Sequence, residues 1–173
     1  MDTRHAVVEI DELGELTLVA AGATLAGIYF PHHWTNPDRG AFGYEVDAPT
    51  DPVLAEVEAQ LRQYVRGERE SFDLPVAAHG NPFEERVWEL LRQIPFGETT
   101  TYGALADRLG DRSLSRLVGQ AVGHNPLSIV VGCHRVVGSG GELRGYAGGL
   151  RRKRFLLDLE ARPVRPQLEL GLV

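Results

Sequence analysis

The sequence contains very little sulfur: its 173 residues include one cysteine, Cys133, and one methionine. A single cysteine excludes an intramolecular disulfide and leaves no cysteine cluster that could hold structural zinc. Cys133 therefore acts as a free thiol, which suits a reducing compartment. Among the six histidines, His5, His32 and His33 lie in unpatterned surroundings typical of surface or loop histidines, so we expect no metal ion and no other cofactor.

Long hydrophobic runs are also absent. No stretch approaches the ~18 to 20 apolar residues that a membrane span requires, and residues 1–5 lack the basic and then apolar pattern of a signal peptide. We therefore expect a cytoplasmic protein that has no membrane partner. Since 43% of the residues are hydrophobic, the chain can bury a core of globular size.

Positive charge is scarce overall and unevenly placed. The net charge of −6 argues against a non-specific polycation. Residues 1–78 carry 14 acidic and 5 basic residues, a net −9, whereas residues 79–173 carry 10 and 13, a net +3. The second half is therefore the candidate nucleic-acid surface, although a difference of this size also arises on ordinary solvated surfaces.

Three runs rich in β-forming residues open the chain, at residues 6–10, 15–20 and 24–30. Short turns separate them, which predicts a small antiparallel meander. Residues 31–50 are rich in Pro, Gly, Asn and Asp and predict a loop. Asp51-Pro52 then offers an N-cap and a first-turn proline for a helix that ends before Gly67, and residues 71–76 predict a further strand. The apolar face of this helix comprises Leu54, Val57, Leu61, Tyr64 and Val65.

A linker at residues 77–80 predicts two domains, 1–78 and 79–173. A second helix begins at Asn81-Pro82 and ends near Ile94. Two short helices follow, and a turn at Gly110-Asp111 separates their apolar faces. These faces comprise Tyr102, Leu105, Ala106 and Leu109, then Leu114, Leu117, Val118, Ala121 and Val122. The arrangement predicts a helix-turn-helix.

The outer face of the second short helix is almost bare. Ser115, Gly119 and Gly123 recur every four residues beside Arg116. Glycine costs ~1 kcal/mol in a helix interior. Two glycines on one helix face therefore indicate that the backbone there comes close to another surface. That surface is either DNA, with Arg116 as the one long side chain able to enter the base stack, or a neighbouring helix, with Arg116 as an ordinary solvated arginine.

The lone cysteine follows an apolar segment, residues 129–131. This segment predicts a buried strand that places Cys133 in a glycine-flanked turn open to substrate. A lone cysteine is often an inert core residue, but the two ionisable residues after it, His134 and Arg135, favour a reactive thiol. Neighbouring side chains on a strand point to opposite sides, so we expect His134 to remove the thiol proton through a water molecule.

The last helix supplies a partner for this base. Its apolar residues define an inward arc that also contains Glu160; they are Leu150, Leu156, Leu157 and Leu159. A buried carboxylate is costly unless it is paired. Glu160 therefore either orients His134 as a base or lies in solvent at a frayed helix end.

These motifs resemble the active-site signature of the O6-alkylguanine-DNA alkyltransferases. The similar positions are Asn125-Pro126, Gly132-Cys133-His134-Arg135-Val136-Val137, Gly145-Tyr146-Ala147-Gly148-Gly149-Leu150, Lys153 and Glu160. The likeness extends upstream through Arg116-Leu117-Val118-Gly119 and Tyr102. It covers about residues 80–160, whereas the N-terminal region matches only in general pattern.

The resemblance implies a role for each matching residue. Cys133 is the alkyl acceptor, His134 is its base, and Glu160 is the partner of that base. Residues expected to bind DNA or substrate are Tyr102, Ser115, Arg116, Gly119, Asn125, Arg135, Val136, Tyr146, Ala147 and Lys153. Among them, Arg116 replaces the extruded guanine in the stack, and Tyr102 crowds the phosphate. Asn125 is a hinge, and Tyr146 forms the guanine pocket with the backbone at Val136 and Ala147.

The resemblance also implies fold and function. The fold is α+β: a small antiparallel sheet with a helix, ribonuclease-H-like, followed by a winged helix-turn-helix domain. The function is direct-reversal repair, in which O6-alkylguanine or O4-alkylthymine flips out of double-stranded DNA and gives its alkyl group irreversibly to Cys133. We expect a monomer off DNA that can cluster on DNA.

One position departs from the family pattern. Gly132 stands where the family usually has proline, which removes a fixed φ beside the thiol. We therefore expect looser placement of Cys133, with a slower rate or an altered pocket.

Two other functions stand beside the enzyme. A non-catalytic winged-helix sensor of alkylated DNA would share the fold, but relatives of that kind lack the cysteine. A DNA-binding transcription regulator would need sequence-reading side chains on the second short helix, and Ser115, Gly119 and Gly123 cannot supply them.

Overall fold

A computed structural model describes residues 2–162 and begins with an antiparallel sheet. The three predicted strands are confirmed as β1 (Thr3–Ile10), β2 (Gly14–Ala21) and β3 (Thr24–Tyr29), each antiparallel to the next. A two-residue strand, β4 (Tyr44–Glu45), lies parallel to β1 on its other side. It falls in the region predicted as loop, because two residues are too few to show an alternating hydrophobic pattern.

The predicted helix of the first half is α1 (Pro52–Val65), and it packs on this sheet. Asp51 caps α1 by accepting the backbone N–H groups of Val53 and Leu54, each at 3.0 Å. The same carboxylate pairs with Arg4 of β1. Because one side chain is both helix cap and ion-pair partner, it fixes where the helix starts relative to the sheet.

The strand predicted over residues 71–76 is wrong. The segment meets the sheet through one parallel bridge, from Val76 to β3. Pro75 has no N–H to donate, and both peptide groups of Asp73 are bound by the side chain of Gln60 in α1, at 2.9 and 3.0 Å. The backbone groups of Asp73 are therefore occupied by the helix, and Pro75 contributes only its carbonyl, which accepts the N–H of Leu25 in β3.

The α-helices of residues 82–160 are α2 (Pro82–Arg92), α3 (Tyr102–Arg108), α4 (Ser115–Gly123) and α5 (Leu150–Glu160). A capping box begins α2, and Gly110 turns the chain between α3 and α4 with φ at 94°. A short parallel pair, β5 (Thr100–Thr101) and β6 (Val136–Val137), joins the start of α3 to the region of the cysteine. The two short helices and the break between them are confirmed.

Other predictions for this half are wrong. Residues 129–131 form a tight turn instead of a strand, with Ile129 at φ 76°. Leu117 and Leu150, both predicted to face inward, are 50% and 48% exposed. Leu117 lies about 100° round α4 from the buried Val118, beyond the surface that α2 and α3 cover. Leu150 is the first residue of α5 and extends past the core.

One hydrophobic core runs through both halves of the described chain, because Leu61 and Tyr64 belong to the same cluster as Leu91 and Leu156. The predicted boundary near residue 78 is therefore not a break in packing, and the division into two domains stays a prediction. Residues 163–173 of the second domain lie outside the described chain. The α+β class is confirmed, while the ribonuclease-H-like and winged subdivisions stay predictions. No helix within residues 2–162 has the length and apolar character needed to cross a bilayer.

Candidate active site

Cys133 opens a single 3-10 turn, Cys133–Arg135, directly after the tight turn that ends at Val131. The side chain of Asn125 holds that tight turn together. Its oxygen accepts the N–H of Leu127 at 3.0 Å, and its nitrogen donates to the carbonyl of Val131 at 3.2 Å. Asn125 therefore connects the end of α4 to the cysteine, which is the position predicted for a hinge residue.

The thiol lies inside the protein, because Cys133 is only 5% exposed. The turn had been predicted to be open to substrate and is instead buried. Burial raises the pKa of the Cys133 thiol, while the Asn125 side chain and the charge of Lys153 lower it in part. The resting form is therefore the protonated thiol, and a base must take its proton before sulfur can attack.

His134 is completely buried beside this thiol. Its Nε2 lies 2.8 Å from Oε1 of Glu160. Because Glu160 is ionised, Nε2 carries the proton and Nδ1 is an acceptor. That Nδ1 has no hydrogen-bond partner among residues 2–162, so it is not bonded directly to Cys133. Burial lowers the pKa of His134 against the opposing effect of Glu160, and the neutral imidazole can therefore accept a proton at neutral pH.

Glu160 accepts hydrogen bonds from several directions. Arg135 reaches both of its oxygens, with Nε to Oε2 at 2.9 Å and Nη2 to Oε1 at 2.8 Å, and the backbone N–H of Gly97 donates to Oε2 at 3.3 Å. Although burial by itself raises the pKa of Glu160, the hydrogen bonds from His134 and Arg135 hold it well below its usual range. A frayed, solvated Glu160 is therefore excluded, and the predicted contact with His134 is present.

Sequence reasoning missed one residue of this cluster. The hydroxyl of Tyr64 in α1 donates to Oε1 of Glu160 at 2.6 Å, and its ring packs against Phe72 and Phe96. The helical pattern had identified Tyr64 as a core residue and nothing more. The one available signal was that a buried tyrosine hydroxyl needs a hydrogen-bond partner.

Two basic residues predicted to bind DNA point inward. Arg135 donates from Nη1 to the carbonyl of Ile94 at 2.7 Å, in addition to its bonds with the carboxylate. Lys153 is fully buried, and its Nζ donates to the carbonyls of Val136 at 2.6 Å and Arg144 at 3.0 Å. Burial lowers the pKa of Lys153 to about 8. These placements do not favour a direct DNA contact and indicate that both side chains support the turn.

The residues predicted to line a guanine pocket, Val136, Tyr146 and Ala147, are all buried. Burial raises the pKa of Tyr146 well above its usual value, and a charge on Cys133 adds to this. The hydroxyl of Tyr146 has no hydrogen-bond partner among residues 2–162. Buried hydroxyls are normally hydrogen-bonded, so this phenol stands out among the buried polar groups of residues 2–162.

Tyr102 lies at the start of α3, and Arg116 lies in the first turn of α4. Tyr102 is half-buried; burial raises its pKa, and the nearby Cys133 contributes. Arg116 is exposed on α4, while the Ser115 hydroxyl before it donates to a backbone carbonyl at 2.8 Å. A Cβ added at Gly119 would come no closer than 3.8 Å to the ring of Tyr102. This part of α4 therefore keeps a bare surface beside an arginine.

Gly123 has a different role from Gly119. The indole of Trp34, from the loop after β3, lies directly over Gly123, and an added Cβ would overlap it. Gly123 therefore packs closely against another part of the protein, which was the second alternative, although its neighbour is a loop and not a helix. No sequence pattern placed Trp34 beside α4.

The histidines of the first half do not form a metal site. His33 lies in a loop, as predicted, but it is buried, and its Nδ1 accepts the N–H of Phe30 at 3.3 Å. Burial lowers the pKa of His33 to about 4. Within residues 2–162, no three His, Cys, Asp or Glu side chains are grouped so that they could hold a metal ion.

The fold and the site together define a class of protein: an α+β protein in which a buried cysteine lies next to a histidine bonded to a carboxylate, a side-chain set typical of group-transfer enzymes that act through a thiol. A family model described as "6-O-methylguanine DNA methyltransferase, DNA binding domain" matches residues 82–162. A methylated-DNA–protein-cysteine methyltransferase of Mycobacterium bovis is 44% identical over 156 residues, which cover 86% of this chain and 87% of that protein. The chain belongs to the methylated-DNA–protein-cysteine methyltransferase family.

Other relatives agree with this assignment. A protein of the same name from Shigella flexneri is 47% identical over 119 residues, 68% of each chain. Among solved structures, Mycobacterium tuberculosis OGT in complex with DNA has a TM-score of 0.81 at 38% identity, with 91% of this chain and 92% of that chain covered.

Proposed function

We propose that this chain repairs DNA by direct reversal, moving the alkyl group of O6-alkylguanine in double-stranded DNA to Cys133 once per molecule. The observation that carries the proposal is the 2.8 Å contact between His134 Nε2 and Glu160, beside the cysteine. It fixes the tautomer in which Nδ1 acts as a base. The names of the relatives describe this activity, and one similar structure was solved with DNA.

The proposed reaction needs only these side chains, a water molecule and the substrate. Cys133 passes its proton through a water molecule to Nδ1 of His134, and Glu160 stabilises the imidazolium that forms. The thiolate attacks the alkyl carbon, so that a C–S bond forms as the C–O6 bond breaks. The electron pair of that bond returns to guanine, which takes up the proton from the imidazolium through water and is restored, leaving His134 neutral again. A thioether is inert to imidazole, carboxylate and amine groups, so Cys133 is not regenerated.

The burial of Cys133 supports nucleotide flipping. O6 lies inside the duplex and the thiol lies inside the protein, so the damaged nucleotide must leave the stack to reach it. We propose that Arg116 fills the gap in the stack and that Tyr102 presses on the phosphate, while α4 lies on DNA at Ser115 and Gly119. The base then rests on Tyr146, Val136 and Ala147. O4-alkylthymine is proposed as a second substrate by the same route.

The remaining site residues are assigned supporting roles. Asn125 is the hinge between α4 and the cysteine turn, and Arg135 and Lys153 hold that turn from inside. The chain acts as a monomer off DNA, because one chain supplies Cys133 and both of its partners, and it can cluster on DNA. A nucleophilic thiol persists in a reducing compartment, so we propose the cytoplasm as its location.

The test is the intact mass of the full chain after incubation with duplex DNA that contains O6-methylguanine. We expect a gain of one methyl group, no gain with undamaged duplex, and no gain in Cys133→Ala. A native protein that binds this DNA and keeps its mass would refute the enzyme and favour the non-catalytic sensor.

A further inference from the structure

Tyr64 of α1 connects the first half of the chain to the proposed catalytic cluster, because its hydroxyl lies 2.6 Å from Oε1 of Glu160. We infer that Tyr64 is a positioning residue for alkyl transfer, holding Glu160 so that Glu160 orients His134. The inference rests on the proposed function and adds to it a role for the N-terminal half.

The geometry makes this hydrogen bond specific. Oε1 of Glu160 accepts hydrogen bonds from the Tyr64 hydroxyl at 2.6 Å, His134 Nε2 at 2.8 Å and Arg135 Nη2 at 2.8 Å. The phenol therefore shares the same oxygen as the imidazole. Since three donors surround one oxygen, the direction of each limits the directions open to the other two. Without the phenol, the carboxylate of Glu160 can rotate, and the angle of its hydrogen bond with His134 Nε2 changes.

The phenol cannot easily move away from this oxygen. Tyr64 is fully buried, and its ring lies 5.2 Å from that of Phe72 and 6.3 Å, edge-on, from that of Phe96, between ring centroids. Phe72 comes from the segment after α1 and Phe96 from the loop after α2, so both halves of the chain fix the ring. The hydroxyl is thus preorganised at the carboxylate before substrate arrives.

The electrostatics keep Tyr64 a donor. Burial raises its pKa well above 10.0, and the charge of Glu160 raises it further. The phenol therefore stays protonated throughout the pH range in which His134 titrates. Burial raises the pKa of Glu160, and the hydrogen bond from Tyr64 helps to lower it, after the larger effects of His134 and Arg135. Without that hydrogen bond, the less satisfied carboxylate attracts the Nε2 proton more strongly, and the pKa of His134 rises.

The variant Tyr64→Phe removes the hydroxyl and retains the ring that packs on Phe72 and Phe96. Its matched control is Tyr29→Phe, which removes a half-buried phenol of the N-terminal half, away from Glu160. Single-turnover methyl transfer from duplex DNA is measured by intact mass across pH 5 to 9, with DNA affinity and thermal midpoint measured in parallel.

We expect Tyr64→Phe to transfer about tenfold more slowly, a part of the ~10²–10⁴-fold that a positioned base supplies. The acid limb of its pH profile should move to higher pH, and its DNA affinity should be unchanged. Tyr29→Phe should retain the wild-type rate and profile. A purely structural role would lower the thermal midpoint and leave the pH profile in place, which would overturn the inference.

A double-mutant cycle gives a second, independent measurement. If Tyr64 acts through Glu160, Tyr64→Phe has no further effect on the rate in a Glu160→Gln background. Additive losses would overturn the inference. Failure of the wild-type protein to gain a methyl group would refute the proposed function itself, whereas a wild-type rate in Tyr64→Phe beside an active native protein would refute this inference alone.

Discussion

Replacing Glu160 by glutamine retains the shape of the side chain and removes its charge. The carboxylate accepts hydrogen bonds from His134, Tyr64 and Gly97 and two from Arg135. A glutamine can accept only at its oxygen, and its amide nitrogen would face groups that are themselves donors. Arg135, whose side chain is 12% exposed, would lose its counter-ion. We therefore expect the free energy of unfolding to fall by about 3 kcal/mol, as for other broken buried ion pairs.

Glu160→Gln should also slow alkyl transfer, by more than the loss of folded protein alone would explain. Without the carboxylate, either nitrogen of His134 can carry the proton, and the imidazolium that forms as Cys133 ionises is no longer neutralised. A positioned general base supplies ~10²–10⁴-fold. We expect a loss of about 10²-fold in single-turnover transfer at pH 7, measured as the growth of the methylated mass.

The pH dependence of stability provides a separate check with a defined sign. The pKa of Glu160 is lower in the folded protein than its ordinary value of 4.5, so the unfolded chain binds the proton more readily. This contribution to stability is complete above the unfolded pKa and is lost as the pH falls toward the folded pKa. The gap in unfolding free energy between wild type and Glu160→Gln should therefore narrow below about pH 4.5.

Urea denaturation at a series of pH values measures this gap. Glu142→Gln, which removes an exposed carboxylate outside the site, is the control and should leave the transfer rate unchanged. A transfer rate for Glu160→Gln within twofold of wild type would refute the proposed orientation of His134. A gap in stability that stays constant from pH 7 to pH 3 would show that Glu160 is not ionised and paired in the folded protein.

Gly132→Pro should speed alkyl transfer, because φ at this position is −72°, within the range of proline, and a fixed φ limits movement of the thiol. Gly132→Ala places a Cβ 2.9 Å from Cδ of Arg135 without fixing φ, so it is the control, and equal rates in all three proteins would contradict the expectation. Gly119→Ala should raise the free energy of unfolding by up to about 1 kcal/mol, because alanine favours helix and space is available. The same substitution should weaken binding to duplex DNA. An unchanged affinity in a DNA titration would place α4 away from the DNA. Gly123→Ala should instead lower the thermal midpoint, since its Cβ overlaps Trp34.

Local patterns predicted the regular elements well. The period-two runs became β1 to β3, and the cap at Asp51 and the capping box at Asn81 marked the starts of α1 and α2. Two predicted strands did not form. Residues 129–131 and 71–76 contain strand-forming residues, but the side chains of Asn125 and Gln60 occupy backbone groups in these segments. Side chains from other elements decide such cases, and no local pattern contains them.

The candidate site residues were recognisable in the amino-acid sequence: a lone cysteine followed by histidine, and a carboxylate placed on an apolar helix face. Its assembly depended on contacts between distant parts of the chain. Arg135 and Lys153 look like DNA-binding cations in a sequence, yet both are turned inward because the buried carboxylate and unpaired carbonyls need donors. Tyr64 lies far from Glu160 along the chain, and only the core that both halves share brings its hydroxyl to the carboxylate. Periodicity shows which face of a helix is buried, whereas hydrogen bonding between buried polar groups depends on which helix covers that face.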